Sequence, residues 1–180
     1  MAVLQKREEW KGQYKNIDFS IVHWQLGWNY YLHIHKDQLP EDIRIKFNLR
    51  AYKFKLSDDG NEHIGFHYES APYISNLEWH GGITYYEKVR DGLGQIIGYK
   101  LGCDYMHHFD IYHNYDLDTL IRDVEQSIDK LHELIPNMKV RCNWDGKFYD
   151  IVDTYITDKG QCVALKNKAN YDKPLFEAKE

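Results

Sequence analysis

Residues 78–110 read EWHGGITYYEKVRDGLGQIIGYKLGCDYMHHFD, and the rest of the chain is organised around this stretch. Two runs rich in aromatic and β-branched residues flank a polar loop that contains Asp91, Gly92 and Gly94, which is the sequence pattern of a β-hairpin. In an antiparallel pair, the start of the first strand lies beside the end of the second. The pattern therefore predicts that His80, on the first strand, lies close to the Asp-x-x-His-x-x-Asp segment that ends the second.

A divalent-metal site is predicted where these two segments meet. Imidazole nitrogens and carboxylate oxygens are ligands that zinc takes in proteins, so zinc is the expected cofactor. Gly81 and Gly82 follow the first candidate ligand and would let backbone approach closely without a Cβ clash. The predicted ligands are His80, Asp104, His107 and Asp110.

Other interpretations of the same stretch stay open. His108 follows His107 directly and is an alternative ligand. Cys103 adjoins Asp104, so it is a second alternative ligand through its sulfur, a Cys/His nucleophile, or simply a small buried apolar residue. The chain has 10 His, so imidazoles also meet without a metal, and an Asp-rich loop before a helix can act only as a cap.

The two motifs resemble those of a family of small phage and prophage proteins whose activity is not established. The shared pattern is His-Gly-Gly-apolar-Thr-aromatic, then Gly-x-Asp-x-x-His-x-x-Asp, then a closing helix, and it extends over residues 17–134. The resemblance implies a functional cluster of the same four His and Asp residues, with Gly81, Gly82 and Thr84 as its scaffold. The second His, at position 108, departs from the family pattern and blurs which of the two is the ligand.

The remaining sequence predicts an α+β fold, with a mainly antiparallel sheet and one long amphipathic helix. Apolar residues recur at helical spacing between Leu117 and Ile135, with Asp116 or Asp118 as the N-cap and Pro136 as the stop. A short helix is predicted at 4–10, and strands are predicted at 17–24, 30–35, 43–56 and 63–68.

A change of pattern near Pro136 predicts a domain boundary. Residues 1–136 form the α+β domain that carries the His/Asp cluster, and residues 137–180 form a small SH3-like β-barrel module. Such barrels usually bind protein or nucleic acid. The module's strands are predicted at 138–142, 148–156, 161–165 and 175–177.

Composition excludes several classes of protein. No run approaches the roughly 20 apolar residues of a membrane span, and the N-terminal residues do not read as a signal peptide. The three Cys, without a Cys-x-x-Cys pair, fit a reducing cytoplasm rather than a disulfide framework or a zinc ribbon. A net charge of -5 with dispersed basic residues disfavours direct nucleic-acid binding.

Two functions remain open, because the sequence carries no nucleotide-loop, metalloprotease or serine-hydrolase motif. The preferred one is a phage or mobile-element protein that binds a host defence protein stoichiometrically in the host cytoplasm, with structural zinc. Anti-CRISPR proteins, which act on CRISPR effector nucleases, are the class expected. The alternative is a metal-dependent hydrolase that uses the same cluster. A closed four-ligand shell favours the first function, and an open coordination position favours the second.

Overall fold

The computed structural model describes residues 7–25, 27–142, 145–157, 160–166 and 174–179, and shows an α+β protein with mostly antiparallel sheets and one long helix. The helices are α1 (Glu41–Arg44), α2 (Pro72–Ser75) and α3 (Leu117–Leu134), with 3-10 turns at Lys36–Gln38, Tyr68–Ser70 and His108–Tyr112. The strands are β1 (Glu8–Tyr14), β2 (Ile17–Trp24), β3 (Gly27–His35), β4 (Arg50–Lys55), β5 (Glu62–His67), β6 (Tyr85–Arg90), β7 (Ile96–Asp104), β8 (Val140–Arg141), β9 (Phe148–Tyr149), β10 (Ile151–Thr157), β11 (Gly160–Lys166) and β12 (Pro174–Lys179).

The main sheet has five antiparallel strands in the order β1-β2-β3-β7-β6. Lys15 and Asn16 join β1 to β2 in a two-residue turn, and both have positive φ (44° and 65°), as a type I′ hairpin turn requires. The predicted hairpin is confirmed, since β6 pairs with β7. At the centre β3 pairs with β7, from Asn29 opposite Asp104 to His35 opposite Gly98.

The long helix α3 packs on one face of this sheet, as its apolar spacing predicts. Asp116 is its N-cap and accepts a hydrogen bond from the Thr119 amide at 2.8 Å. The Tyr30 and Ser127 hydroxyls are hydrogen-bonded at 2.7 Å between β3 and α3. The helix buries Leu120, Val124, Ile128 and Leu131 completely.

Three sequence-based element predictions are wrong. The helix predicted at 4–10 is not formed where the structure describes the chain, because residues from Glu8 onward belong to β1 and pair with β2. Residues 1–6 lie outside the described part. The strand predicted over 43–56 begins only at Arg50. Residues 41–44 form α1 instead, with Pro40 as its N-cap. This turn buries Ile43 while Ile45 is 80% exposed, so the apparent alternation of apolar residues is not that of a strand.

The third correction concerns the motif itself. Residues 78–84 are a turn and not the start of the first hairpin strand, because Glu78, Gly81 and Gly82 all have positive φ (59°, 67° and 102°). The backbone resumes sheet pairing where the Thr84 amide donates to the Gly102 carbonyl at 3.0 Å. His80 therefore reaches the end of β7 from a turn.

The C-terminal strands exist near their predicted positions. β8 pairs with β9, and β10, β11 and β12 form a three-stranded antiparallel sheet. Within the described residues these pairings do not close into a barrel, so the SH3-like module and the boundary at residue 136 stay predictions. Met138 belongs to the main core, and the Lys139 amide donates to the Gln38 carbonyl at 2.8 Å. None of the described helices is long and apolar enough to cross a membrane.

Candidate metal centre

Three of the four predicted ligands come together at one end of the β3–β7 pair. His80 lies in the turn before β6. His107 is the N-cap of the 3-10 turn that follows β7, and Asp110 lies within that turn. The loop after β7 is fixed to the sheet because the Tyr105 amide donates to the Trp28 carbonyl at 2.8 Å. The group is thus held by the end of β7 and by a turn whose backbone geometry favours glycine.

Asp110 is the centre of the group, and its side chain is only 3% exposed. His80 Nε2 lies 2.7 Å from its Oδ1, and His107 Nδ1 lies 3.1 Å from its Oδ2. The Tyr115 hydroxyl donates to Oδ1 at 2.7 Å, and the His107 amide donates to Oδ2 at 2.8 Å. Each carboxylate oxygen therefore has two partners.

These contacts keep the carboxylate charged. Burial raises the pKa of Asp110, but hydrogen bonds from Tyr115, His80 and His107 outweigh it and leave that pKa below its ordinary value. Burial, followed by the hydrogen bond to Asp110, raises the pKa of Tyr115 to about 12. At neutral pH the group thus contains a carboxylate and a neutral phenol that donates to it.

Ring packing fixes both imidazoles. The His80 ring stacks on Tyr105 at 3.9 Å between centroids with an interplanar angle of 2°, and the His107 ring stacks on Phe109 at 5.3 Å. The α-carbon of Gly81 faces His107, and a Cβ there would lie 2.4 Å from the imidazole. The expected close approach at Gly81 is confirmed, because only glycine leaves space for this ring.

The other candidate residues are placed elsewhere. The Asp104 carboxylate accepts from the Met106 amide at 3.1 Å and is not part of the three-residue group, so its role as a ligand stays a prediction. His108 packs edge-on to Tyr112, and of the two adjacent His it is His107 that contacts Asp110.

Cys103 is fully buried, and burial raises the pKa of its thiol to about 12. A thiol with that pKa carries little thiolate at neutral pH and is a poor nucleophile. The interpretation of Cys103 as a small buried residue is confirmed.

The ligand atoms of His80, His107 and Asp110 are placed so that they could hold a metal ion. They all lie within 4.8 Å of one another. Ligand atoms around a tetrahedral zinc at 2.0–2.1 Å are roughly 3.3 Å apart. To admit the ion, His80 and Asp110 would separate by about half an ångström, and the most widely spaced ligand atoms of the group would move closer together. Two imidazoles and one carboxylate also suit other first-row divalent metals.

The group borders open space. His107 and Asp110 line a cleft of about 390 Å3, whose other walls include His23, Trp28 and His113. A metal with three protein ligands beside such a cleft has room for a water or a substrate atom as a further ligand.

Two residues that support the His/Asp group, Tyr105 and Tyr115, were not predicted from the sequence. Their only signal is position, since they flank the His/Asp motif in an aromatic-rich run. No family model matches the chain, and neither a curated protein nor a solved structure matches it. The resemblance to phage and prophage proteins stays a prediction.

Proposed function

We propose that the protein is a metal-dependent hydrolase in which His80, His107 and Asp110 hold a zinc ion. The observation that carries this proposal is the group of three candidate ligands, two of which, His107 and Asp110, line the 390 Å3 cleft. Bound zinc would supply a water of lowered pKa and would polarise a substrate oxygen. The aromatic and imidazole walls of the cleft suit a small polar substrate with a planar part.

The residues of the chain have separate roles in this proposal. His80 and His107 bind through Nε2 and Nδ1, the nitrogens that now face Asp110. Tyr115 donates to the Asp110 carboxylate, which orients it and keeps it charged. His113 lines the cleft and is the candidate to accept a proton from an attacking water.

Metal analysis of protein purified without chelator tests the site. We expect about one zinc per chain, and a His107→Ala variant should lose it. His108→Ala is the matched control, because it removes the adjacent imidazole, which lies outside the group, and should keep the metal. No stoichiometric metal in the parent, or equal metal in both variants, would contradict the proposal.

Stability measurements separate a catalytic ion from a structural one. Removing a structural ion lowers the melting temperature, because metal-binding energy is then folding energy. We expect His107→Ala to abolish turnover of a hydrolysable substrate while it melts within a few degrees of the parent. A large drop in melting temperature without any turnover in the parent would indicate structural zinc.

The second candidate is stoichiometric inhibition of a host defence nuclease by a phage or mobile-element protein of the anti-CRISPR type. It is favoured by exposed apolar side chains beside the metal group: Ile111 is 68% and Tyr112 is 75% exposed, and Met106 and Phe109 are also exposed. Such a patch is typical of a protein-binding surface. Here the zinc is structural, the C-terminal strands form an SH3-like binding module, and the protein acts in the host cytoplasm.

Titration against a purified CRISPR effector nuclease distinguishes the two functions. Inhibition that saturates near one protein per effector supports the second candidate, and Tyr112→Ser should weaken it. Inhibition at strongly substoichiometric amounts, with a modified effector, guide or nucleotide, supports the hydrolase instead.

A further inference from the structure

A second cavity lies at the opposite end of the β3–β7 pair, far from the metal group along the strands. It has a volume of about 180 Å3, and its walls include His35 and Gly98, which pair at that end of the sheet. Asn16 also lines it, from the turn between β1 and β2. None of these residues belongs to the hydrolase site.

Asn16, in the wall of this cavity, carries a hydrogen-bond donor without a partner. Within the part of the chain that the structure describes, Asn16 Nδ2 is the one buried side-chain polar atom without a hydrogen-bond partner. The Asn16 backbone is held, since its carbonyl accepts from Gln38 Nε2 at 2.9 Å. Buried donors are seldom left unpaired, because the lost hydrogen bond to water destabilises the fold. A ligand acceptor in the cavity would satisfy it once the Asn16 amide group turns toward the cavity.

The walls of the cavity suit a flat ring. The His35 imidazole stacks on Phe148 at 4.6 Å between centroids, and Tyr99 contributes a third ring. Burial lowers the pKa of His35, which favours its neutral form. Val89 and Ile97 add aliphatic surface. Aromatic side chains can stack on any nucleobase, because every base has a π-face.

A larger, more basic cavity of about 460 Å3 shares His35 and Phe148 with the first. Its walls carry three cations, Arg44, Lys139 and Lys147, against the single carboxylate of Asp37. The Arg44 guanidinium is held in place, because its Nε donates to the Leu39 carbonyl at 3.1 Å and its Nη2 lies 3.4 Å from Asp37. In a chain of net charge -5, this local excess of positive charge favours an anion.

We propose that the two cavities together bind a nucleoside monophosphate. The base occupies the smaller cavity, where Asn16 Nδ2 donates to a ring acceptor, and the phosphate occupies the larger one, beside Arg44 and Lys147. Guanidinium and ammonium groups are the usual partners of phosphate in proteins. The combined space falls within the ~300–1,000 Å3 of small-molecule sites.

Calorimetric titration of the full chain with each of the four common ribonucleoside monophosphates tests this proposal. We expect at least one of them to bind saturably. The corresponding nucleoside and inorganic phosphate, tested alone, should each bind at least about tenfold more weakly, because each makes only part of the contacts. Absence of saturable binding for all four, or phosphate binding as tightly as the nucleotides, would overturn the proposal.

Variants locate the site. Asn16→Gly removes the donor and tolerates the positive φ, and Lys147→Gln removes a cation; each should weaken binding about tenfold. Lys46→Gln is the control, because it removes an exposed cation close to α1 that does not line either cavity. His107→Ala should bind the nucleotide like the parent, which separates this site from the metal centre. Parent-like binding by both Asn16→Gly and Lys147→Gln would show that the nucleotide binds elsewhere.

Discussion

The two ends of the β3–β7 pair differ in how their polar atoms are satisfied. At one end the Asp110 carboxylate receives four hydrogen bonds from neighbouring groups and is almost completely buried. At the other end Asn16 Nδ2 is buried with no partner. The closed network stabilises the fold and would have to rearrange to admit an ion, whereas a buried donor without a partner destabilises the fold.

The largest expected change in unfolding free energy comes from Gly81→Ala, which disrupts the hydrogen-bond network around Asp110. The new methyl group would meet the His107 ring, and the residue would also keep an unfavourable φ of 67°. We expect a loss of about 3 kcal/mol in unfolding free energy, measured by urea denaturation. Gly60→Ala is the matched control, with a φ of 65° and nothing within 4 Å, and should lose only about 1 kcal/mol. Equal losses would show that His107 does not depend on Gly81.

Asp110→Asn should give the second-largest loss of unfolding free energy. The amide places an NH2 group where Asp110 now accepts hydrogen bonds, so at least one of His80, His107 and Tyr115 loses its partner. We expect a loss of about 2 kcal/mol by the same measurement. Asp104→Asn should change stability by less than about 0.5 kcal/mol, because an amide oxygen can still accept from Met106 in the loop.

Acid should weaken the closed end. The folded-state pKa of Asp110 lies below its ordinary value of 3.8, so its contribution is complete above pH 3.8 and is lost as pH falls through the folded pKa. The difference in unfolding free energy between the parent and Asp110→Asn should therefore shrink as pH falls below about 4. A difference that stays constant over this range would show that the charge of Asp110 does not stabilise the fold.

The smallest expected effect lies at the open end. Asn16→Gly removes a donor that has no partner, and glycine accepts the positive φ of this turn. Removing the unpaired donor relieves its cost, and the greater chain entropy of unfolded glycine offsets that gain, so the unfolding free energy should change by no more than about 0.5 kcal/mol. A loss above about 1 kcal/mol would mean that Asn16 already has a stabilising partner and would remove the contrast between the two ends.

Local patterns explain what the sequence predicted correctly. The helical repeat of α3 and the turn between β6 and β7 depend on neighbours in sequence, and so does the spacing of three from His107 to Asp110. Ile45 misled the strand prediction, because an exposed apolar residue looks the same in sequence as a buried one. The roles of Tyr105 and Tyr115 depend on where the loop after β7 folds, which no periodicity records.

The pairing of β3 with β7 also sets an order of events during folding. His35 and Gly98 are partners although 63 positions separate them, whereas β1–β2–β3 and β6–β7 each form from adjacent segments. Closing a long loop is entropically unfavourable, so the two hairpin units should form first and join along this seam later. The cleft beside the metal group and the 180 Å3 cavity both border the β3–β7 pairing, one at each end. The chain should therefore acquire the two proposed binding sites together, in a late and slow step, and hydrogen exchange at the β3 and β7 amides would report that step.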